Sequence, residues 1–256
     1  ADRLLFSGID RNRNMLLEPW EKELTGQVKE RFAEVPDFGI MDLVTVHSSE
    51  PNTRSDGQSR TNLNGSVQTV RRALAEVYGS RADAIVSTAG VGTTRFGSVL
   101  EFCVKGALTE SEADTAFDRF TVSNGSVTAG LVNINTAPAA VLACLPGVGE
   151  DKAETLVAYR EDNPDSLDTP LWLVSAAGED VAIAAGPYVT TKSYQVTADI
   201  VAVSASGQAF RRVRFVLDLR SGSPVVVSRR DLTHLGWPLG GALRQETMAA
   251  STEGTR

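Results

Sequence analysis

One stretch, residues 131–160, constrains what this chain can fold into more than any other. Its apolar residues recur at helical spacing on both sides of a glycine pair, at Val141, Leu142, Leu145, Ala153, Leu156 and Val157. Gly147 and Gly149 flank Val148 and permit a tight reversal that larger side chains resist. The sequence therefore predicts two short helices joined by a glycine hairpin.

The segment before the hairpin predicts how its first helix starts. Asn135 or Thr136 is expected to cap that helix, because a side-chain oxygen there can accept a hydrogen bond from an unpaired N–H of the first turn. Pro138 suits the first turn, where a backbone N–H has no helical partner to lose. We assign a structural role in this unit to Asn133, Asn135, Pro146, Gly147 and Gly149.

The chain contains a second, weaker copy of this unit. A shift of 71 residues places Asn62 on Asn133 and Asn64 on Asn135. The apolar positions that follow also coincide, with Val70, Leu74, Ala82, Ile85 and Val86 falling on Val141, Leu145, Ala153, Leu156 and Val157. The first copy lacks the paired glycines, and two copies are too few for a solenoid. We interpret the repeat as two paired small helical modules, with a chance match as the alternative.

The charge and composition of the chain disfavour several classes of protein. Of its 256 residues 42% are hydrophobic and 22% charged, which is ordinary for a soluble globular protein. The net charge of −7 argues against a general binder of nucleic acid or anionic membranes. The sequence has no run of about 20 apolar residues, the length of a membrane-spanning helix. It also has no CxxC or HExxH motif, so a zinc site of the usual kind is not expected.

Few residues offer catalytic or redox chemistry. The two cysteines, Cys103 and Cys144, are expected to be small buried thiols, with a disulfide as the alternative in an oxidising compartment. His234 is close in sequence to Ser228 and Asp231, but a triad is recognised by geometry and no nucleophile elbow is present. His47 is expected to be a half-exposed polar residue. We therefore expect a protein that is not an enzyme.

A second motif, near the start of the chain, matches a twelve-residue calcium loop. The expected oxygen ligands are Asp10, Asn12, Asn14, the Leu16 carbonyl, Glu18 and Glu21, and calcium prefers such an all-oxygen set at these spacings. Met15 occupies the position that normally holds glycine, where a left-handed backbone costs another residue about 1–2 kcal/mol. The alternative is an asparagine-rich turn before a helix with acidic residues in its first turn.

Short patterns predict individual elements elsewhere. Branched residues in segment 38–47 predict a strand, and segment 98–104 predicts a second short one. The capping box formed by Thr109 and Glu112 predicts the start of a helix. From Tyr188 onward the hydrophobic period changes to two, which predicts three successive antiparallel strands. Charges expected to be solvated on edge strands are Arg211, Arg212, Arg229 and Arg230.

The order of these parts resembles a known family. An Asn-Leu-Asn module at 62–64 is followed by Asn-Ile-Asn-Thr-Ala-Pro at 133–138 and Leu-Pro-Gly at 145–147. The segment from Tyr188 to Val196 then leads into strands. Together they resemble the minor pseudopilin K family of bacterial type II secretion, over roughly Asp10 to Gly236.

The resemblance implies a fold, a role and a location. The fold would be α+β: a pseudopilin-like antiparallel sheet with an N-terminal helix and an inserted all-helical domain of two SAM-like, helix-hairpin-helix modules. The role would be a non-catalytic structural subunit that caps the tip of the pseudopilus in protein export, together with the I- and J-type minor pseudopilins. The family also binds calcium. It works at the periplasmic face of the inner membrane, held there by an N-terminal hydrophobic helix that this sequence, starting at Ala1, does not include.

These features predict five segments. Residues 1–47 would form the N-terminal helix and first strand, and 48–130 the first SAM-like module with its connection. Residues 131–185 would form the second module, 186–240 the C-terminal strands and 241–256 a flexible tail.

The main alternative is a DNA-binding helix-hairpin-helix protein of the competence type, whose hairpin also opens with Val-Asn-Ile-Asn-Thr-Ala. Such hairpins present backbone N–H groups to a phosphate beside lysine or arginine. Within residues 131–160, however, Lys152 and Arg160 are outnumbered by Glu150, Asp151 and Glu154. The local net charge of −1 opposes phosphate binding, so nucleic acid is not the favoured partner.

Overall fold

A computed structural model of the chain describes residues 8–11, 21, 39–40, 43–204 and 209–237. The architecture is α+β: among the described residues, short helices alternate with three two-stranded sheets, and a three-stranded sheet follows them. The chain divides into two compact units. One unit consists of residues 48–194, and the other combines the segments on either side, residues 1–47 and 195–256.

The first half of the 48–194 unit contains four helices between two pairs of short strands. In chain order these elements are β1 (Ser49–Pro51), β2 (Thr61–Asn62), α1 (Val67–Tyr78), α2 (Ala82–Ala89), α3 (Val99–Lys105), α4 (Glu110–Arg119), β3 (Phe120–Thr121) and β4 (Val127–Ala129). Strand β2 pairs in parallel with β3, and β1 pairs antiparallel with β4. We call residues 61–121 the first module.

The second half of this unit repeats the same order of elements. They are β5 (Val132–Asn133), α5 (Ala139–Leu142), α6 (Gly149–Asp162), α7 (Trp172–Ala177), α8 (Glu179–Ala185) and β6 (Val189–Thr190). Strand β5 pairs in parallel with β6, as β2 does with β3. We call residues 132–190 the second module. The predicted pair of modules is confirmed, and each is closed by a parallel strand pair that the repeat did not predict.

The cores of the two modules use equivalent positions. Phe102 on α3 and Leu173 on α7 lie 71 residues apart, and both are fully buried. Leu63 and Ile134, at the same spacing, are buried directly after β2 and β5. Leu100 is the exception, because this residue of α3 packs into the core of the second module. The two modules therefore share an apolar contact and do not pack as independent domains.

Two short strand predictions are wrong. Segment 98–104 forms α3, because the Ser98 side chain accepts a hydrogen bond from the Glu101 N–H and caps a helix where the apolar run suggested a strand. In segment 38–47 none of the described residues, 39–40 and 43–47, lies in a strand. Its branched residues are not packed there, and Val46 is 93% exposed. The helix predicted from Thr109 and Glu112 is confirmed as α4, with both hydrogen bonds of the capping box formed.

The second unit contains a three-stranded antiparallel sheet, which confirms the prediction from the period-two pattern. Its strands β7 (Gln195–Val203), β8 (Phe210–Asp218) and β9 (Val225–Asp231) lie in chain order, with β8 in the centre. A bulge between Val216 and Leu217 shifts the register of β8 against β9. Apart from Glu21, the predicted N-terminal helix falls on residues that lie outside the described ones.

The charges on the sheet correct one expectation. Arg212 was predicted to be solvated, but it is only 4% exposed and pairs with Asp199 at 2.7 Å. Asp199 also pairs with Arg214 at 3.0 Å, while Arg211 is exposed and pairs with Asp231. Arg212 lies on the central strand, where its guanidinium is buried and needs a carboxylate partner. The remaining pair, Arg229 and Arg230, is exposed as expected.

No helix in the described part of the chain is both long and apolar enough to span a bilayer.

Candidate functional site

The predicted hairpin unit lies at the start of the second module. Helix α5 is a single turn, and successive turns through Leu145 and Val148 lead into α6. Gly147 and Gly149 have φ values of +79° and +68°, in the left-handed region that glycine adopts without strain. A Cβ on Gly147 would lie 3.5 Å from the Cβ of Ala184, so one side of the hairpin lies against α8. Pro146 is exposed between Leu145 and Gly147.

Asn133 and Asn135 fix the segment that leads into α5, but neither caps this helix, whose N-cap is Pro138. The Asn133 side-chain oxygen accepts the Asn135 N–H at 2.9 Å, and its amide donates to Ser193 Oγ at 2.8 Å. Asn135 donates to the Leu167 carbonyl at 2.8 Å and accepts from Trp172 Nε1 at 3.1 Å. Asn135 is therefore a long-range tie between the start of the module and the segment before α7.

The first module repeats this arrangement. The Asn62 side-chain oxygen accepts the Asn64 N–H at 2.8 Å. Asn64 donates to the Phe96 carbonyl at 2.9 Å, and its oxygen accepts the Phe96 N–H at 2.9 Å. The distance along the chain from Asn64 to Phe96 equals that from Asn135 to Leu167. This agreement in hydrogen bonding argues against a chance match between the two copies.

The two cations of the hairpin unit are engaged within the protein. Lys152 Nζ donates to the Gly147 carbonyl at 3.2 Å, directly at the hairpin. Arg160 Nη1 donates to the Ile134 and Ala137 carbonyls at 3.0 and 2.7 Å. These hydrogen bonds fix the segment before α5, and they leave Arg160 less able to bind a phosphate.

The start of α6 carries negative charge. Glu150 and Asp151 lie in its first turn and are exposed. Carboxylates are favoured there because the unpaired N–H groups give that end of a helix partial positive charge. The same position is the one that a phosphate would occupy in a helix-hairpin-helix complex. The acidic pair neutralises part of this field and repels an approaching phosphate.

Of the predicted calcium ligands, only Asp10 and Glu21 belong to the described residues; Asn12, Asn14, Leu16 and Glu18 lie outside them. Asp10 and Glu21 are 2% and 0% exposed. The Arg11 N–H donates to Glu21 Oε1 at 2.8 Å, so the two ends of the twelve-residue loop approach each other. This closure fits a calcium loop. Among the described residues there is no group of three or more potential metal-ligating side chains.

The cysteines are both free thiols. Cys103 is buried in the core of the first module, and burial raises the pKa of its thiol well above the usual range. Cys144 is exposed at the hairpin, which differs from the expectation of a buried thiol. The expected disulfide alternative therefore does not form in this structure.

A cavity that the sequence did not predict lies between the two modules. Glu50 of β1 accepts a hydrogen bond from Thr190 Oγ1 at 2.7 Å, although the two residues are 140 positions apart. Arg60 lies beside Glu50, and its Nε donates to the Asp118 carbonyl at 3.2 Å. Burial and the nearby Glu50 carboxylate raise the pKa of Tyr194. No local pattern connects these residues, so only the folded structure brings them together.

In a comparison with known protein families, part of the chain matches one family. The family described as a helix-hairpin-helix motif matches residues 127–165, which contain β5, α5, the hairpin and α6. The chain is thus similar to helix-hairpin-helix proteins in this part. No curated protein and no solved structure matches it.

Proposed function

We propose that this chain is a non-catalytic structural subunit of a bacterial type II secretion pseudopilus, of the minor pseudopilin K type. The observation that carries the proposal is the order of its parts. A duplicated helical unit, residues 48–194, interrupts a second unit whose C-terminal part is an antiparallel sheet. This is the arrangement expected of a pseudopilin-like domain with a two-module insertion. A scaffold role also agrees with a hairpin whose polar groups bind the protein itself.

The second candidate is a DNA-binding protein of the competence type, which the helix-hairpin-helix match favours. Three observations count against it. Arg160 is bound to two backbone carbonyls, Lys152 to a third, and Glu150 with Asp151 occupies the start of α6. Backbone phosphate contacts supply most of the affinity in such complexes, so this surface would bind DNA weakly.

The proposal extends to partners, location and metal. The I- and J-type minor pseudopilins would be its partners at the pseudopilus tip, on the periplasmic side of the inner membrane. Calcium would bind in the loop from Asp10 to Glu21 and hold its two ends together. Calcium would supply no reaction chemistry in this role, because its oxygen ligands serve to order the loop.

A binding experiment separates the two functions. The purified chain is mixed with purified periplasmic domains of I- and J-type minor pseudopilins from the same organism and analysed by size-exclusion chromatography with light scattering. We expect a stable complex of defined stoichiometry. In parallel, labelled duplex DNA is titrated at about 0.15 M salt, where weak phosphate contacts are screened. DNA binding without a pseudopilin complex would replace the structural proposal, and binding of neither would overturn both.

Lys152→Gln controls the DNA titration. If the hairpin contacts phosphate, this substitution weakens DNA binding uniformly across sequences and lowers the salt dependence by about one counterion. In a scaffold, pseudopilin binding is unchanged by the same substitution.

Calcium binding is tested on the full chain by calorimetry and by thermal melting with and without the ion. We expect saturable binding and a higher melting temperature in calcium, with a smaller effect of magnesium, which requires a stricter geometry. Glu21→Gln, which removes the bidentate ligand, should abolish the calcium-dependent part of the shift. Equal melting curves with and without calcium would refute the site.

A further inference from the structure

The dipeptide Asn-Gly occurs twice in this chain, and serine follows it both times, at residues 64–66 and 124–126. Glycine has no Cβ, so its backbone nitrogen can closely approach the side-chain carbonyl carbon of the asparagine before it. Attack of that nitrogen on the asparagine Cγ closes an imide ring and releases ammonia. An Asn-Gly pair is therefore reactive where the asparagine side chain is free to turn toward the glycine nitrogen.

The first of the two asparagines is held in place by the fold. Asn64 Nδ2 donates to the Phe96 carbonyl at 2.9 Å, and its Oδ1 accepts the Phe96 N–H at 2.9 Å. Phe96 is 2% exposed and belongs to the core of the first module. Asn64 must break both hydrogen bonds before its Cγ can meet the nitrogen of Gly65.

The second asparagine is much less restrained. Asn124 is exposed, and so are Gly125 and Ser126 after it. In the described part of the chain the Asn124 side chain forms one hydrogen bond, in which its Oδ1 accepts from Asn62 Nδ2 at 2.7 Å. The Gly125 N–H donates to Ser123 Oγ at 3.1 Å, a contact that is exposed to water. Both reacting groups are accessible, and only exposed hydrogen bonds oppose their approach.

We propose that Asn124 is a site of spontaneous deamidation in the folded chain and that Asn64, in the same Asn-Gly-Ser sequence, is protected. The Gly125 nitrogen loses its proton to hydroxide and attacks Asn124 Cγ, and the side-chain amide nitrogen takes up a proton from water and leaves as ammonia. Water then opens the imide. Cleavage of the bond from nitrogen to Cγ gives aspartate, and cleavage of the bond from nitrogen to the backbone carbonyl carbon gives isoaspartate. This modification goes beyond the proposed structural function and does not depend on it.

The two products should affect the fold differently, because Asn52 holds the turn that contains the reactive pair. Asn52 Nδ2 donates to the Ser123 and Gly125 carbonyls at 3.3 and 2.8 Å. The Asn52 N–H donates to the Ser126 carbonyl at 2.9 Å. Isoaspartate lengthens the backbone between these carbonyls by one carbon atom, so the three hydrogen bonds cannot all be kept. Aspartate leaves the backbone unchanged and retains an oxygen that accepts from Asn62.

Peptide mapping by mass spectrometry tests the site on the full chain, incubated at mildly alkaline pH and physiological temperature. We expect deamidation of the Asn124 peptide over days. The Asn64 peptide should react about tenfold more slowly or less, because both hydrogen bonds to Phe96 must break first. In guanidinium chloride, where the fold is lost, the two peptides should react at similar rates. Equal rates in the folded chain, an unreactive Asn124 there, or unequal rates in the unfolded chain would each overturn the proposal.

Two variants test the chemistry and its consequence. Gly125→Ala should slow the reaction of Asn124 several-fold and leave the rate at Asn64 unchanged, since a Cβ hinders the attacking nitrogen. Asn124→Asp reproduces the aspartate product without lengthening the backbone. It should melt at the temperature of the unsubstituted chain, whereas an incubated chain that contains isoaspartate should melt lower. If Asn124→Asp melts as low as the incubated chain, the added charge and not the backbone causes the loss, and the structural argument is wrong.

Discussion

At the scale of single residues, the second asparagine of each Asn-x-Asn element forms hydrogen bonds to residues far away in the sequence. The spacing of Asn133 and Asn135 identifies a structural element, but a helix cap is the wrong role. Asn135 binds a carbonyl 32 residues away and an indole N–H 37 residues away. Neither partner follows from local spacing, because the fold of the whole module sets both distances. The sequence thus indicates which residues matter here and leaves their partners undetermined.

Asn135→Ala should therefore destabilise the second module strongly. It removes two hydrogen bonds and leaves the Nε1 of Trp172, a buried residue, without its acceptor. A lost hydrogen bond with an unpaired buried partner costs about 1–3 kcal/mol, so we expect a loss of about 2–3 kcal/mol in the free energy of unfolding. Urea unfolding monitored by tryptophan fluorescence measures it. Asn124→Ala, which removes an exposed contact to Asn62, should cost less than about 1 kcal/mol, and equal losses would contradict the argument.

Asp199 makes a second prediction at this scale, for pH. The hydrogen bond from Arg212, followed by that from Arg214, holds the pKa of Asp199 below its usual value. A carboxyl with a lower pKa in the folded state stabilises above its unfolded pKa of about 3.9 and loses this contribution as pH falls through the folded value. The free energy of unfolding should therefore decrease below about pH 4.

Asp199→Asn removes that part of the pH dependence. At pH 7 it also removes the ion pair between the buried Arg212 and residue 199, which should cost about 1–3 kcal/mol. Unfolding by urea at pH 3 and pH 7 gives both values. If the free energy of unfolding differs between pH 3 and pH 7 by the same amount in the variant as in the unsubstituted chain, other carboxyls determine the pH dependence of stability.

At the scale of elements, predictions succeeded where the pattern was long or the capping chemistry complete. The three strands β7, β8 and β9 follow from a period of two that recurs through residues 195–231, and α4 follows from its capping box. The strand prediction for segment 98–104 was wrong because a short apolar run fits a strand or a buried helix equally well. The Ser98 cap, which decides in favour of α3, is a weaker pattern by itself than the full box at α4.

The glycine hairpin gives the element-scale prediction. Gly149→Ala places a Cβ at a φ of +68° in open space, so the expected cost is backbone strain alone, about 1–2 kcal/mol. Gly147→Ala should cost a similar amount, since its nearest neighbour, at 3.5 Å, is at ordinary contact distance. Chemical unfolding measures both. Gly97→Ala is the control, because Gly97 has no positive φ, and a cost there as large as at Gly149 would disprove the backbone explanation.

At the scale of the whole molecule, the sequence showed the duplication, but it did not show the contacts that join the two modules. Core positions recur at a fixed spacing, so the repeat predicts two modules with equivalent interiors. The contact of Leu100 with the second core joins the two modules, and the bond between Glu50 and Thr190 joins β1 to the second module. Neither contact has a counterpart in the repeat. The intermodule cavity depends on these contacts, which is why its residues were not among the predicted site residues.

The same contacts predict how the chain divides. Residues 48–194 should fold when expressed alone, because β1 pairs with β4 and Glu50 binds Thr190, so the two ends of the segment are tied together by its own residues. Residues 48–131 alone should not fold stably, because Leu100 would lose the core that buries it and leave a large apolar side chain exposed. Circular dichroism and cooperative thermal melting test both fragments.

The substitution Leu100→Ser should have opposite effects in the two fragments. It should increase the solubility of the shorter fragment, whereas it should lower the free energy of unfolding of the 48–194 fragment by about 2–5 kcal/mol. If the shorter fragment melts cooperatively, at the temperature at which the same residues melt in the 48–194 fragment, the modules fold independently and the prediction is wrong.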